Sequence, residues 1–306
     1  MNENDRFFAV LPVLPEKIQS AIRRSMFSGL SFEEVRLRAD GPVAVTSRGK
    51  TRFLISSGDF SKRPSSAIIC TAEEIENTFL KICDNSVFAH TSEIEAGFVS
   101  FKGGFRAGVC GDFSGGTLSS PSSINIRICR EVTGCADSLF SAFSGGMLIC
   151  GPPGSGKTTV LRELIRKLSG REDGDAYRVA VIDSRREISG GTGAYSFDLG
   201  SNTDVIYISD KAKGAEMVLR GMYPDIIAFD EIGTQKEVDA LLEAFNSGVH
   251  IITTAHVGEF CDLNVRPATR ALLKSGIIEK VALLSGKIGE PPRIFGINEV
   301  LHANCG

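Results

Sequence analysis

The run Gly151-Pro152-Pro153-Gly154-Ser155-Gly156-Lys157-Thr158 fits the pattern G-x-x-x-x-G-K-[ST], and its flanks fit as closely as its core. Met147-Leu148-Ile149-Cys150 before it is a short apolar run of the kind that forms a buried parallel strand. After it, Val160, Leu161, Leu164, Ile165 and Leu168 fall on one helical stripe, which Ser169-Gly170 closes. Each residue type has a physical reason to be there. Glycines let backbone N–H groups turn inward around phosphate oxygens with no Cβ in the way. The helix N-terminus adds the positive end of its dipole, and a lysine reaches the outer phosphates as a point charge. Gly151, Pro152, Pro153, Gly154, Ser155, Gly156, Lys157, Thr158 and Thr159 are therefore the expected phosphate-binding set, with the Thr158 hydroxyl offered to Mg²⁺. The expected ligand is a nucleoside triphosphate. ATP is preferred by exclusion, since no Asn-Lys-x-Asp run for reading guanine is present.

A chain of 306 residues is long enough for two domains that each bury a core. At 42% hydrophobic and 23% charged, the composition is that of a globular protein. No apolar run approaches the roughly 18 residues that span a bilayer. The opening Met-Asn-Glu-Asn-Asp-Arg does not read as a signal peptide, so an intracellular protein is expected. The eight cysteines stand singly, without a C-x-x-C pair, and read as small buried thiols in a reducing compartment rather than as metal ligands. Residues 1–130 hold 16 Lys/Arg against 14 Asp/Glu and the remainder 18 against 23, so neither half carries a nucleic-acid footprint.

Taken in order, residues 1–122 read as an α+β domain. Ile18, Ile22 and Met26 space a helix, and Glu34 to Arg38 alternates with Val35 and Leu37 inward. Hairpins are expected around Arg48-Gly49-Lys50 and around Lys102-Gly103-Gly104, with a capping box at Thr71-Ala72-Glu73-Glu74 opening a helix between them. His90 is a lone histidine expected to be satisfied structurally. Ser114 to Ser123, rich in Gly and Ser, is the expected linker, and Ile124 to Arg130 an edge strand opening a second domain, 123–306. From 147 on, apolar strands (147–150, 179–183, 204–208, 226–230, 249–254) alternate with helices (159–168, 212–221, 235–245). The fold class is accordingly α/β: a RecA-like parallel sheet with flanking helices, of the P-loop NTPase type, preceded by the smaller α+β domain.

Ile226-Ile227-Ala228-Phe229-Asp230-Glu231 is an apolar strand ending in two acids. Strand C-termini of a parallel sheet open on the ligand crevice, so Asp230 is placed to hold Mg²⁺ through its water shell and Glu231 to polarise an attacking water. Asp183 and Glu187, in the charged turn after the neighbouring strand, are second candidates for water activation. His256, two residues past the strand 249–254, is a candidate for hydrogen bonding to the γ-phosphate.

Four motifs in this order resemble the type II and type IV secretion ATPase superfamily. They are the phosphate loop, an acidic box Ile182 to Glu187, the run Leu219-Arg220-Gly221-Met222-Tyr223-Pro224-Asp225 leading to Asp230-Glu231, and a histidine box Ser247 to His256. Glu34 to Arg38, Gly103 to Gly108 and Ile124 to Ile128 resemble the N-terminal signatures of its sporulation branch in endospore-forming bacteria. The chain departs at Asp230, where these motors usually carry Gly, and at Val257-Gly258, where Ala-Asn is usual. The division of labour between Glu187 and Glu231 therefore stays open.

The resemblance implies catalytic parts for Lys157, Glu187, Arg220, Glu231 and His256, a homo-oligomeric and hexameric ring, and arginines from the N-terminal domain acting in trans. Arg106, Arg127 and Arg130 are the candidates. It further implies a cytoplasmic Mg²⁺-dependent ATPase docked on membrane-embedded proteins of an assembly between mother cell and forespore, with no direct nucleic-acid partner. A RecA-like nucleic-acid-dependent ATPase is the alternative. A small-molecule kinase would need an arginine-rich lid that the tail from Gly286 does not provide, and a nucleotide-binding scaffold without turnover stays open.

Overall fold

A computed structural model describes residues 8–26, 32–47, 49–101, 105–114, 117–128, 131–171, 174–190, 196–257, 262–263, 266–287 and 290–302. The chain divides into two compact units, Met1–Arg130 with Gly190–Ser196, and Glu131–Ser189 with Phe197–Gly306.

The first unit is built on alternation. In β1 (Glu34–Arg38) Val35 and Leu37 are buried while the charged residues face outward, as a sheet with one core face requires. A two-residue strand β2 (Gly41–Pro42) follows, then the hairpin β3 (Ala44–Ser47) and β4 (Lys50–Leu54), and the short β5 (Phe60–Ser61) and β6 (Ile69–Cys70). The second expected hairpin is β7 (Phe98–Phe101) with β8 (Phe105–Ser114), and β9 (Thr117–Arg127) completes a seven-stranded sheet in the order β5-β4-β3-β1-β9-β8-β7. Its pairings are antiparallel. Helices Glu16–Met26 and Ala72–Ile82 lay Ile18, Ile22, Ile75 and Phe79 on Val35, Leu37, Ile124 and Ile126. The Thr71–Glu74 capping box opens the second helix as expected. His90 is satisfied by Glu93, Nδ1 to Oε2 at 3.0 Å.

The linker expectation is corrected here. Ser114 and Thr117 pair with each other, and residues 117–123 run up β9 beside β8. The division between units falls after Arg130 rather than after residue 122. Composition misled because strand ladders are made by backbone groups, which small polar residues supply as well as any. Gly111 is required by close approach, since a Cβ there would run into the Ser120 carbonyl at the β-bulge. The strand holding Ile124, Ile126 and Arg127 is central, between β1 and β8, not an edge. Arg130 lies outside the described residues.

The second unit holds β10 (Met147–Gly151), β11 (Val179–Ile182), β12 (Thr203–Ile206), β13 (Ile226–Phe229), β14 (His250–His256), β15 (Lys280–Leu283) and β16 (Arg293–Gly296). They form one sheet in the order β12-β11-β13-β14-β10-β15-β16. Every pairing is parallel except β15 with β16, which forms an antiparallel edge. The near-continuous apolar strands have a direct cause. In β10, Leu148 and Cys150 pack into one cluster with Val218, Leu241 and Leu272 from helices Lys211–Met222, Gln235–Asn246 and Pro267–Lys274. Met147 and Ile149 pack into the other, with Leu139 and the Leu161, Leu164 and Leu168 stripe of helix Lys157–Ser169. A sheet covered on both faces needs apolar residues at both parities.

Candidate nucleotide site

Gly154 and Gly156 take φ of +74° and +90°, left-handed values that bring the chain from the end of β10 into helix Lys157–Ser169. A Cβ on either would meet nothing within 4 Å, so the space over the loop is open. Among the described residues no side chain caps the helix, which leaves its first N–H groups to a ligand. Ser155 Oγ is buried with no hydrogen-bond partner among the described residues. These features fit a polyphosphate: unspent donors, positive dipole end, and no steric bulk.

Lys157 follows at once and is only 6% exposed. Its Nζ donates to the carbonyls of Gly151 at 3.0 Å and Pro152 at 2.9 Å, and lies 2.9 Å from His256 Nδ1. Burial holds this ammonium below its ordinary pKa, while the charges of Asp230 and Glu231 pull it partly back. His256 reaches it through strand register: β14 runs parallel beside β10 with His256 opposite Gly151. The other ring nitrogen, Nε2, lies 3.5 Å from Glu231 Oε2. Lysine, histidine and acid thus form a line.

Register also assembles the acids. Phe229 pairs with Thr253, so the next residues, Asp230 and Thr254, stand side by side at the C-terminal sheet edge. The Asp230 carboxylate accepts from Thr158 Oγ1 at 2.7 Å and from Thr254 Oγ1 at 2.5 Å. A threonine hydroxyl and a carboxylate facing each other beside the loop are the hard oxygen donors that Mg²⁺ takes. Glu187 lines the same small cleft as Asp230, Glu231 and Lys211, so the structure brings both candidate bases together. Asp183 lines this cleft as well, but its carboxylate is engaged in the turn. It is 2% exposed and accepts from the amides of Glu187 (3.0 Å) and Ser189 (2.8 Å) and from Ser189 Oγ (2.8 Å). Its oxygens are spent on folding the turn, and it is removed as a candidate for water activation.

Arg220 is a second correction. Helix Lys211–Met222 starts at the acids and runs back along the sheet, so its last turn lies about 13 Å further on at 1.5 Å per residue. Arg220 lines a cleft of about 680 Å³ with Arg178, Tyr223, Asp225 and His250. Those residues precede or open β11, β13 and β14, at the sheet edge opposite the phosphate loop. The arginine and the acid pair share a motif in sequence but not a site within this chain.

Two residues of the site escaped the sequence reading. Thr254 accepts from the Glu231 amide at 3.0 Å while donating to Asp230. Lys211 Nζ donates to the carbonyls of Asp230 and Glu231, each at 2.6 Å. One signal was available: a lysine as first residue of a helix opposes the helix dipole and asks for another reason to be there.

A family model described as "Sporulation stage III, protein AA" matches residues 4–302. Stage III sporulation protein AA of Bacillus subtilis (strain 168) is 33% identical over 288 residues, 90% of each chain. Among solved structures, the Legionella pneumophila ATPase DotB superposes with a TM-score of 0.58 at 16% identity, over 88% of this chain and 76% of its own. The pilus retraction motor PilT, solved with bound ADP, gives 0.58 at 18% identity over 92% and 85%. The fold is thus the RecA-like one of secretion ATPases. Among the described residues no helix is long and apolar enough to cross a membrane.

Proposed function

The chain belongs to the sporulation stage III protein AA family, and from that premise we propose that it is a Mg²⁺-dependent ATPase that drives a secretion-like complex across the envelope between mother cell and forespore. The observation that carries the reading is the convergence at one sheet edge of an open phosphate loop, Lys157, the Thr158–Asp230 oxygen pair and Glu231. ATP and Mg²⁺ supply a phosphoryl group and the cation that offsets its charge. Gly151 to Thr159 bind the phosphate tail, with Lys157 transferring its hydrogen bonds from loop carbonyls to phosphate oxygens. Thr158 and Asp230 hold the cation. Glu231 orients and polarises water, and His256, between Lys157 and Glu231, couples the occupancy of one to the position of the other. Glu187 is the second carboxylate over the same cleft.

The working form is a homo-oligomeric ring, proposed as a hexamer, in the cytoplasm and docked on membrane-embedded partners. Arg106 and Arg127 support a contribution in trans. They stand directly opposite each other across β8 and β9. Glu34 flanks Arg127 on its other side but is engaged by Arg36 at 2.7 Å. Arg106 also lies 3.7 Å over the Phe98 ring. The test is phosphate release by the purified chain: Mg²⁺-dependent ATP turnover that Lys157→Ala abolishes is expected, and turnover indifferent to that substitution contradicts the reading.

A further inference from the structure

The turn that delivers the acids is not one its residues favour. Glu231 takes φ +50°, in the left-handed region, and neither it nor Asp230 is glycine. Such a conformation lasts only where the surroundings over-determine it, and it concentrates at functional sites. Here two side chains do so. Lys211 Nζ clamps both carbonyls of the turn at 2.6 Å, short charge-assisted bonds. That ammonium is held in turn: its side chain is 16% exposed, it lies 5.7 Å from the Phe229 ring, and Glu237 Oε1 stands 4.0 Å away. Thr254, fully buried, takes the remaining amide of Glu231 at 3.0 Å and binds the Asp230 carboxylate with its proton.

None of these contacts to Glu231 involves its side chain. They fix where its carboxylate points and leave the carboxylate itself unengaged by them. We propose that Lys211 and Thr254 are positioning residues that hold the left-handed Asp230–Glu231 turn and so set the rate of the water-activating step; Lys211, which touches only the backbone of the turn, does so without setting nucleotide affinity. The inference rests on Glu231 as the base of the proposed ATPase. It assigns two residues that stand far from the phosphate loop in sequence, on the start of one helix and the end of one strand.

The test uses the full chain and four variants: Lys211→Met, which keeps the aliphatic stem, Thr254→Val, Thr254→Ser, and the double variant Lys211→Met/Thr254→Val. Steady-state ATP turnover at saturating Mg²⁺, affinity for a non-hydrolysable ATP analogue and the thermal midpoint are measured on each. Lys211→Met and Thr254→Val should each lower kcat about 10- to 100-fold, the effect expected of a base displaced by about an ångström. Analogue affinity of Lys211→Met should stay within about threefold, the mark of an interaction used only in the reaction. Thr254→Ser should restore kcat, and the double variant should be little worse than the poorer single one, because both act on one turn. A full-rate Lys211→Met or Thr254→Val beside an active wild type overturns the inference alone. So does a loss of analogue affinity in Lys211→Met as large as its loss of kcat, or a Thr254→Ser as slow as Thr254→Val. A wild type with no turnover overturns the ATPase reading, and this inference with it.

Discussion

Replacing Glu231 by Gln separates chemistry from binding more cleanly here than any other substitution. The amide is isosteric, and the contacts that shape the turn survive it. Thr254 holds the residue 231 amide, and Lys211 holds the carbonyls of residues 230 and 231. The Thr158 and Thr254 bonds to Asp230 are untouched. What is lost at the side chain is the charge that faces His256 at 3.5 Å, between groups 35% and 36% exposed. At that length and exposure the pair is worth no more than about 0.5 kcal/mol, so ATP affinity should move by less than about threefold. Loss of a positioned general base costs about 10²- to 10⁴-fold, or about 3 to 5.5 kcal/mol of barrier. Steady-state phosphate release together with titration of a fluorescent ATP analogue reads both quantities. Glu187→Gln, whose carboxylate lines the cleft from another turn, should cost less than about tenfold by the same scale. A Glu231→Gln protein hydrolysing ATP within about threefold of wild type, or a Glu187→Gln protein losing more, would refute the assignment of the base.

Three further outcomes follow from the geometry. Asp183→Ala leaves two amides and a hydroxyl without their acceptor in a buried turn, and should lower unfolding free energy by about 3 kcal/mol in chemical denaturation. Burial alone would raise the Glu163 pKa, but Arg166 and the Gly134 amide overcome it and hold the carboxyl below its ordinary value. The unfolded state then binds the proton more tightly, so this stabilisation is complete above about pH 4.3 and lost as pH falls through the folded pKa. The melting temperature of wild type should accordingly drop more steeply than that of Glu163→Gln as pH is taken below that value. Burial pushes the thiols of Cys70 and Cys150 up to about 12 and those of Cys83 and Cys135 to about 11. Mass-mapped alkylation of the native protein near neutral pH should therefore label exposed Cys110 well before these four.

What was legible in sequence was whatever chemistry lies contiguous along the chain. The phosphate loop carries its strand, glycines, lysine and helix in one stretch, and β10, β11 and β13 announce themselves because burial on both faces forces apolar residues at every position. His256 was a candidate because it follows an apolar strand, which in the structure it closes. Its contacts were not legible, because they depend on register: only the Gly151–His256 pairing brings it to Lys157. The parts of Thr254 and Lys211 in the site were hidden for the same reason, since they are joined to Asp230 and Glu231 across strands and across a crossover. Arg220 failed in the opposite way. Its run leads into the acids in sequence, yet the crossover helix has carried it to the far edge before β13 returns. Ser114 to Ser123 showed that composition reports side chains, whereas a hairpin of this kind is held by backbone.

The central claim, that residues 151–159 wrap a triphosphate while the acid-bearing strand end faces its last phosphorus, is tested most directly by a crystal structure of the chain with Mg²⁺ and a non-hydrolysable ATP analogue. The account predicts Lys157 Nζ moved from the Gly151 and Pro152 carbonyls onto the phosphates, the cation beside Thr158 and Asp230, and the Glu231 carboxylate facing the γ-phosphate. An analogue bound elsewhere, or a Glu231 carboxylate turned away from that phosphate with Lys157 still on its loop carbonyls, would contradict it.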